Sequence, residues 1–336
     1  MNLHDKLQLA YSKIAAAERV LIVGHTSPDA DAIASIGAMI EIAQSLGLGF
    51  YAFADKKVDG AYSFIPHEDL IRSEEPDDLR VFDVMLVLDC GSISRTGLEV
   101  RLRNLIKANG DGRLETRPYI IELDHHQPSE SYADLELRLP DKASTTEIIY
   151  HLLKANNIEV NRTLANCILI GLMTDTGHFL HANSSREALA VSSEMLLRGA
   201  SLPRIIDHTV NNKSFASLKV WGRAIDNMHL DSETGFAFSA LTAQELDELM
   251  PEEYSSSGAD LFGDIVSFLS TLSGVKVALL LREEKGRVKG SLRTNDDIID
   301  VASIAQHWGG GGHKKAAGFS VSGRLLKKDK GWGIIK

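Results

Sequence analysis

Arg19-Val-Leu-Ile-Val-Gly24 runs directly into His25-Thr-Ser-Pro-Asp29-Ala-Asp31. A short apolar run closed by glycine predicts a strand buried on both faces. Ile33 to Leu46 then carries apolar residues at helical spacing: Ile33, Ile36, Ile40 and Ala43. The strand signal recurs at Val84–Leu88 (VMLVL) and Tyr119–Leu123 (YIIEL). Buried strands alternating with amphipathic helices predict an α/β fold, with a mostly parallel sheet and flanking helices in the N-terminal half. Thr163–Thr174 reads as a helix, through Leu164, Ile168 and Leu172, stopping near Gly177.

Beyond this the pattern changes. Ser184–Ser217 is helical and amphipathic with a break at Leu202-Pro203. Phe236–Leu241 reads as a strand and Gly258–Leu272 as a helix. Val275–Arg293 reads as a hairpin around Glu-Lys-Gly, Asp297–His307 as a helix, Gly309–Gly312 as a four-glycine loop and Phe319–Val321 as a short strand. This predicts a smaller α/β C-terminal domain with a mixed sheet. The expected boundaries are residues 1–195 for the first domain, 196–225 for a helical linker and 226–336 for the second.

Composition narrows the function. Two cysteines, Cys90 and Cys167, exclude a cysteine-rich zinc module or a disulfide framework and fit a reducing cytoplasm. Neither a signal-peptide pattern nor a bilayer-length apolar run is present, so a cytoplasmic protein with no membrane partner is expected. A net charge of −10 argues against a track for long or duplex nucleic acid.

Three of the predicted strands end in the same chemistry. The first delivers His25, Asp29 and Asp31; the second, Asp89; the third, Asp124-His125-His126. Ligands of open α/β sheets bind at the carboxyl ends of strands. Asp175, at the end of a predicted helix, is placed to join them. Clustered carboxylates repel one another unless cations neutralise them. Imidazole with carboxylate suits first-row divalent metals. Two such metals about 3.5–4 Å apart clamp a phosphoryl group in line and lower the pKa of a bound water. Taken singly, Asp29 is an ordinary helix cap, His25 a polar strand end and Asp89 a loop start. Their ordered recurrence after buried strands favours a metal site.

These residues resemble the DHH phosphoesterase superfamily. The resemblance rests on His25-Thr-Ser-Pro-Asp29-Ala-Asp31, the strand-end Asp89, Asp124-His125-His126 and Thr174-Asp175-Thr176-Gly177. The C-terminal half resembles the DHH-associated domain through Gly290-Ser-Leu-Arg293 and Gly309-Gly310-Gly311-Gly312-His313-Lys-Lys-Ala-Ala-Gly318-Phe319. The resemblance implies two divalent ions, manganese foremost. His25 and Asp29 would bind the first, Asp31, His125 and Asp175 the second, and Asp89 would bridge both. His126 would face the scissile phosphate, and Asp124 would orient a ligand histidine. Ala34 stands where many members have glycine. His178 is open between a substrate contact and a loop histidine, and Arg95 between a phosphate clamp and an ion-pair partner. Cys90 reads as a small buried residue.

The glycine run is not a Walker motif, since no Gly-Lys-Ser/Thr follows it. With Arg293, Gly310, Gly311, Gly312 and His313 it is expected to take the nucleotide end of a substrate. Closure of the two domains would then bring phosphate to the metals. Within the superfamily the plan resembles the bifunctional oligoribonucleases and pAp phosphatases, which implies short RNA or a small nucleotide as substrate and a homodimer. Cyclic di-AMP or pApA hydrolysis is the alternative. A catalytically inactive nucleotide-binding protein is the alternative of another class, and it would need a broken ligand position.

Overall fold

A computed structural model of the chain describes residues 1–110, 117–127, 130–181, 183–211, 213–250, 261–328 and 331–335, with the side chains of 109, 110, 313 and 328 outside that description. The chain divides into two compact units, Met1–Asn211 and Asn212–Lys336.

In the first unit α1 (Leu3–Ala15) precedes β1 (Arg19–Val23), α2 (Ala30–Ser45), β2 (Gly49–Phe53), β3 (Ile71–Arg72) and β4 (Val84–Leu88). Then come α3 (Glu99–Gly110), β5 (Tyr119–Asp124), β6 (Leu135–Arg138), α4 (Thr145–Ala155), α5 (Arg162–Asp175), α6 (Arg186–Leu197) and α7 (Leu202–Thr209). The six strands form one parallel sheet in the order β3-β2-β1-β4-β5-β6. β1, β4 and β5 each lie between two strands and are covered on both faces, and that is why they read as mainly apolar runs; Glu122, the charged exception in β5, is buried against Tyr132 and Arg138. Side chains alternate along each strand, and the two faces feed two cores. Val20, Ile22, Leu86 and Leu88 pack with α2, α4 and α5, while Leu21, Val23, Met85 and Val87 pack toward α3. The sequence-predicted α5 is confirmed: Asn161 caps it, accepting from Leu164 N at 2.9 Å, and the chain turns at Gly177 with φ +54°.

The second unit contains α8 (Phe215–Asp226), β7 (His229–Asp231), β8 (Phe236–Leu241), α9 (Ala243–Leu249), α10 (Leu261–Ser270), β9 (Val277–Glu284), β10 (Arg287–Arg293), α11 (Val301–Gln306), β11 (Gly311–His313), β12 (Ala316–Ser322), β13 (Arg324–Lys328) and β14 (Gly331–Ile335). Its sheet runs β11-β12-β10-β9-β8-β7 and is mixed, because β8 and β9 are parallel and the other neighbours antiparallel.

Several expectations need correction. The glycine run is only half a loop, because Gly311–His313 pairs with Ala316–Gly318 as a strand. At Gly310 a Cβ would lie 2.1 Å from Gly318 O, and at Gly312 (φ +143°) 2.5 Å from Ala316 O, so close backbone packing demands glycine at both. The helix expected over 297–307 starts only at Val301, where Asp300 caps it by accepting from Ala302 N at 2.9 Å. The helical stretch expected over 184–217 breaks before Leu202 as expected, but also a second time, between Thr209 and Phe215.

Candidate metal centre

β1 and β4 are neighbours, but from β1 the strand order runs out through β2 and from β4 through β5. Such a reversal opens a crevice outside the carboxyl ends of the two strands, because the loops that leave them diverge. His25 lies just beyond β1 and Asp89 just beyond β4; both are buried, and His25 Nε2 is 3.8 Å from Asp89 Oδ2.

Asp29 is the N-cap of α2, where Oδ1 accepts from Ala32 N at 3.1 Å. Its Oδ2 is 3.9 Å from His25 Nε2, so capping and placement at the crevice are combined in one side chain. Asp31, in the first turn of α2, is fully buried. Its Oδ2 accepts from Thr145 N at 2.7 Å and its Oδ1 from Thr146 N at 3.2 Å, the first two amides of α4. A helix start offers unsatisfied N–H groups and the positive end of the dipole, both of which favour a carboxylate. Sequence reasoning missed Thr145 and Thr146. The signal was present in Ser144-Thr-Thr-Glu147 ahead of an apolar helical pattern, a helix-start spacing.

α5 passes this pair at Gly171, where a Cβ would fall 2.0 Å from Asp31 Oδ1 and 2.2 Å from Thr146 Oγ1. Gly171→Ala is therefore expected to push Asp31 off its amides, to lower stability by about 1–3 kcal/mol and to weaken divalent-cation binding. Thermal melting and cation titration check this. An unchanged Tm and affinity would contradict the contact.

Asp89 adopts φ +58°, the left-handed region that side chains other than Asn and Asp seldom enter. Its amide donates to Leu123 O at 3.0 Å, and its Oδ1 accepts from Thr145 Oγ1 at 3.0 Å. The carboxylate faces two ways. Oδ2 points toward His25, and Oδ1 lies 3.4 Å from both His125 Nε2 and His126 Nδ1. His125 Nε2 is also 3.0 Å from Asp175 Oδ2, at the last residue of α5. Asp124 closes β5 and orients His126: Oδ1 accepts from His126 N at 2.8 Å and lies 2.7 Å from its Nδ1, while Oδ2 accepts from Gly91 N.

Burial and mutual repulsion set the charge states. Burial, reinforced by Asp175 and Asp89, holds the Asp31 carboxyl well above the usual range. Burial likewise raises Asp175, to about 6, although His125 opposes it. For His125, burial works to lower the pKa, but Asp175 and Asp89 outweigh it and the value is raised well above normal. His126 is raised for the same reason, against burial, mainly by its bond to Asp124. Without a cation, protons on these groups perform part of the charge neutralisation.

The ligand atoms suit a divalent cation. Among the described residues, His25/Asp29/Asp89, Asp89/His125/His126 and Asp31/His125/Asp175 each bring one ligand atom per side chain to within 4.8 Å of one another. His25 Nε2 is buried with no hydrogen-bond partner, an orphan that a cation beside Asp29 and Asp89 would satisfy. Imidazole and carboxylate together suit first-row divalent ions.

The other singled-out residues lie as follows. Arg95, half-buried in the turn Ile93–Thr96, accepts from Thr26 N at 2.7 Å through its carbonyl, tying the loops after β1 and β4 together. A Cβ on Gly91 would sit 3.4 Å from the Arg95 guanidinium and 3.5 Å from the His126 ring, so guanidinium and ring flank one backbone position. His178 pairs its Nε2 with Thr209 Oγ1 at 2.8 Å, anchoring the loop after α5 to α7. Cys90 is buried, and burial pushes its thiol well up, so it is no nucleophile. Arg293 ends β10, half-buried, with Nη1 donating to Leu292 O at 3.0 Å. The His313 side chain lies outside the described residues.

Residues 19–172 match the DHH family, N-terminal domain, and residues 257–330 match the DHHA1 domain. The chain belongs to the DHH phosphoesterases. The DHH match opens at β1 and contains every crevice residue except Asp175, while the DHHA1 match contains Arg293 and the glycine run. This DHH protein is 27% identical over 323 residues to the bifunctional oligoribonuclease and PAP phosphatase NrnA of Thermus thermophilus, covering 95% of this chain and 89% of that one. It is 22% identical over 311 residues to NrnA of Bacillus subtilis, covering 92% and 91%. In fold, it resembles an exopolyphosphatase-related protein of Bacteroides fragilis, with a TM-score of 0.79 at 24% identity over 94% of this chain and 90% of that one. No helix among the described residues is long and apolar enough to cross a membrane.

Proposed function

We propose that this DHH protein hydrolyses short oligoribonucleotides to mononucleotides, and pAp to AMP, with two divalent cations, manganese by preference. The observation that carries this reading is the placement of Asp89, with one oxygen toward His25 and the other toward His125 and His126. A single carboxylate so disposed can serve two ions. In this reading His25 and Asp29 would hold one ion, Asp31, His125 and Asp175 the other, and Asp89 would serve both. When bound, such a pair makes water a usable nucleophile at neutral pH and offsets the charge of a phosphoryl group.

The remaining roles belong to the chain itself. His126, whose ring Asp124 orients through Nδ1, would face a phosphate oxygen. Thr145 and Thr146 hold the Asp31 and Asp89 carboxylates in place. Arg293 and the backbone of Gly310, Gly311 and Gly312 take the nucleotide end; a Cβ on Gly311 would meet nothing within 4 Å, so that face of the segment is open. Near full-length similarity to two oligoribonuclease and PAP phosphatase proteins supports this substrate class. The net charge of −10 disfavours long RNA.

The test is a substrate panel with Mn²⁺: pAp, pApA, an RNA pentamer, a long RNA, c-di-AMP and pyrophosphate. Mononucleotides from the short RNAs and phosphate from pAp are expected. Turnover of c-di-AMP or pyrophosphate alone would overturn the substrate assignment, and silence throughout would favour a nucleotide-binding protein without activity. Arg293→Ala is expected to raise KM for short RNA about tenfold or more, the loss of one charge-assisted hydrogen bond, with kcat little changed. An unaltered KM would leave the Arg293 strand a purely structural part.

A further inference from the structure

A second cluster of ligating side chains shares no residue with the crevice. Glu147 and His151 stand one turn apart on α4 and meet Glu187 in the first turn of α6. Their ligand atoms lie within 4.8 Å of one another. Glu147 is fully buried; its Oε2 accepts from Ala143 N at 2.7 Å, but its Oε1 has no hydrogen-bond partner. His151 Nε2 also has none, and lies 3.8 Å from Glu147 Oε1 and 3.2 Å from Glu187 Oε1. Burying a carboxylate oxygen with nothing to receive its charge is strongly unfavourable.

A tetrahedral zinc ion with bonds of about 2.0–2.2 Å sets its ligand atoms about 3.4 Å apart, and the two measured separations straddle that spacing. A proton on His151 is the competing cation. It would serve Glu187, but at 3.8 Å it leaves Glu147 Oε1 outside hydrogen-bond range. Lys142 does not fill the gap either, since its Nζ sits 2.6 Å from the other oxygen of Glu187, Oε2.

We propose that Glu147, His151 and Glu187 form an additional divalent-cation site of zinc type, separate from the crevice. An ion there would pin α4 to α6. The first amides of α4 hold Asp31, so this ion would fix the helix that positions a crevice carboxylate without itself touching substrate.

The experiment uses the full chain carrying Asp89→Asn and His125→Asn, which silence the crevice. Zn²⁺ is titrated in by calorimetry, and metal content is measured by mass spectrometry after gel filtration. One equivalent of zinc and a raised Tm are expected, both lost on adding His151→Gln. Glu187→Gln, at a half-exposed position where folding is not at stake, is expected to weaken binding at least tenfold. Absence of bound zinc, or binding indifferent to both substitutions, would overturn the proposal.

Discussion

Asp89→Asn is expected to reduce cation-dependent phosphoester hydrolysis by roughly four orders of magnitude, in the range seen when a central catalytic group is removed, while the Tm stays within a few degrees of the parent. Asparagine is the informative replacement for two reasons. It tolerates the left-handed backbone at φ +58°, and its amide oxygen can still accept from Thr145 Oγ1. It cannot offer two anionic oxygens to two ions. Asp89→Ala adds a structural cost of about 1–2 kcal/mol, from a strained backbone and a lost hydrogen bond. Comparing the two separates folding from chemistry. A folded Asp89→Asn protein that keeps near-normal turnover would sink the bridging role.

The second large effect concerns pH. Asp175 is raised to about 6 and Asp31 is raised as well, so between pH 4 and their folded values the native state binds more protons than the unfolded one. Stability of the cation-free protein therefore falls as pH rises through that window. His125 acts in the same sense, because its raised pKa gives stability that is lost as pH climbs through the folded value. The Asp175 shift alone corresponds to about 3 kcal/mol. Carboxylates with lowered values, such as Asp124 and Asp134, act in the opposite sense but lose their contribution only at more acid pH. Chelator-treated protein is thus expected to melt lower at pH 7.5 than at pH 5. Added Mn²⁺ should reverse the order, because a cation needs these groups deprotonated. Denaturation curves at both pH values, with and without Mn²⁺, check this. A chelated protein that is more stable at pH 7.5 would contradict the charge states described.

How much of this was legible in the sequence depended on position in the sheet. β1, β4 and β5 each lie between two strands and are mainly apolar, and they read clearly. β6 is an edge strand, and β2 is covered on its outer side only by the two-residue β3. Gly49–Phe53 is half covered, and Leu135–Arg138 alternates apolar with charged residues over only four positions, too short a run to register. α4 went unread although its Ser144 start and its Ile148, Ile149, Leu152 and Leu153 spacing were present. Most crevice side chains were recognisable because they followed buried strands; Asp175 instead closes α5. The Thr145 and Thr146 amides went unread together with α4, whose start places them. The glycine run misled for another reason. Local reading sees four flexible residues, while the pairing that straightens Gly311–His313 comes from β12 and depends on contacts outside the run.

The crevice exists only once β1, α2, β4, β5 and α5 have come together, because its walls come from these elements. A chain emerging from the ribosome can offer no assembled pocket until Asp175 has appeared and distant strands have paired, a slow, non-local step. Unlike a zinc finger, whose ion organises the polypeptide, the proposed cation sites would be completed only after the sheet has formed. Under the proposed function, the ion carried would then depend on the metals available around the finished protein as well as on its imidazole and carboxylate donors.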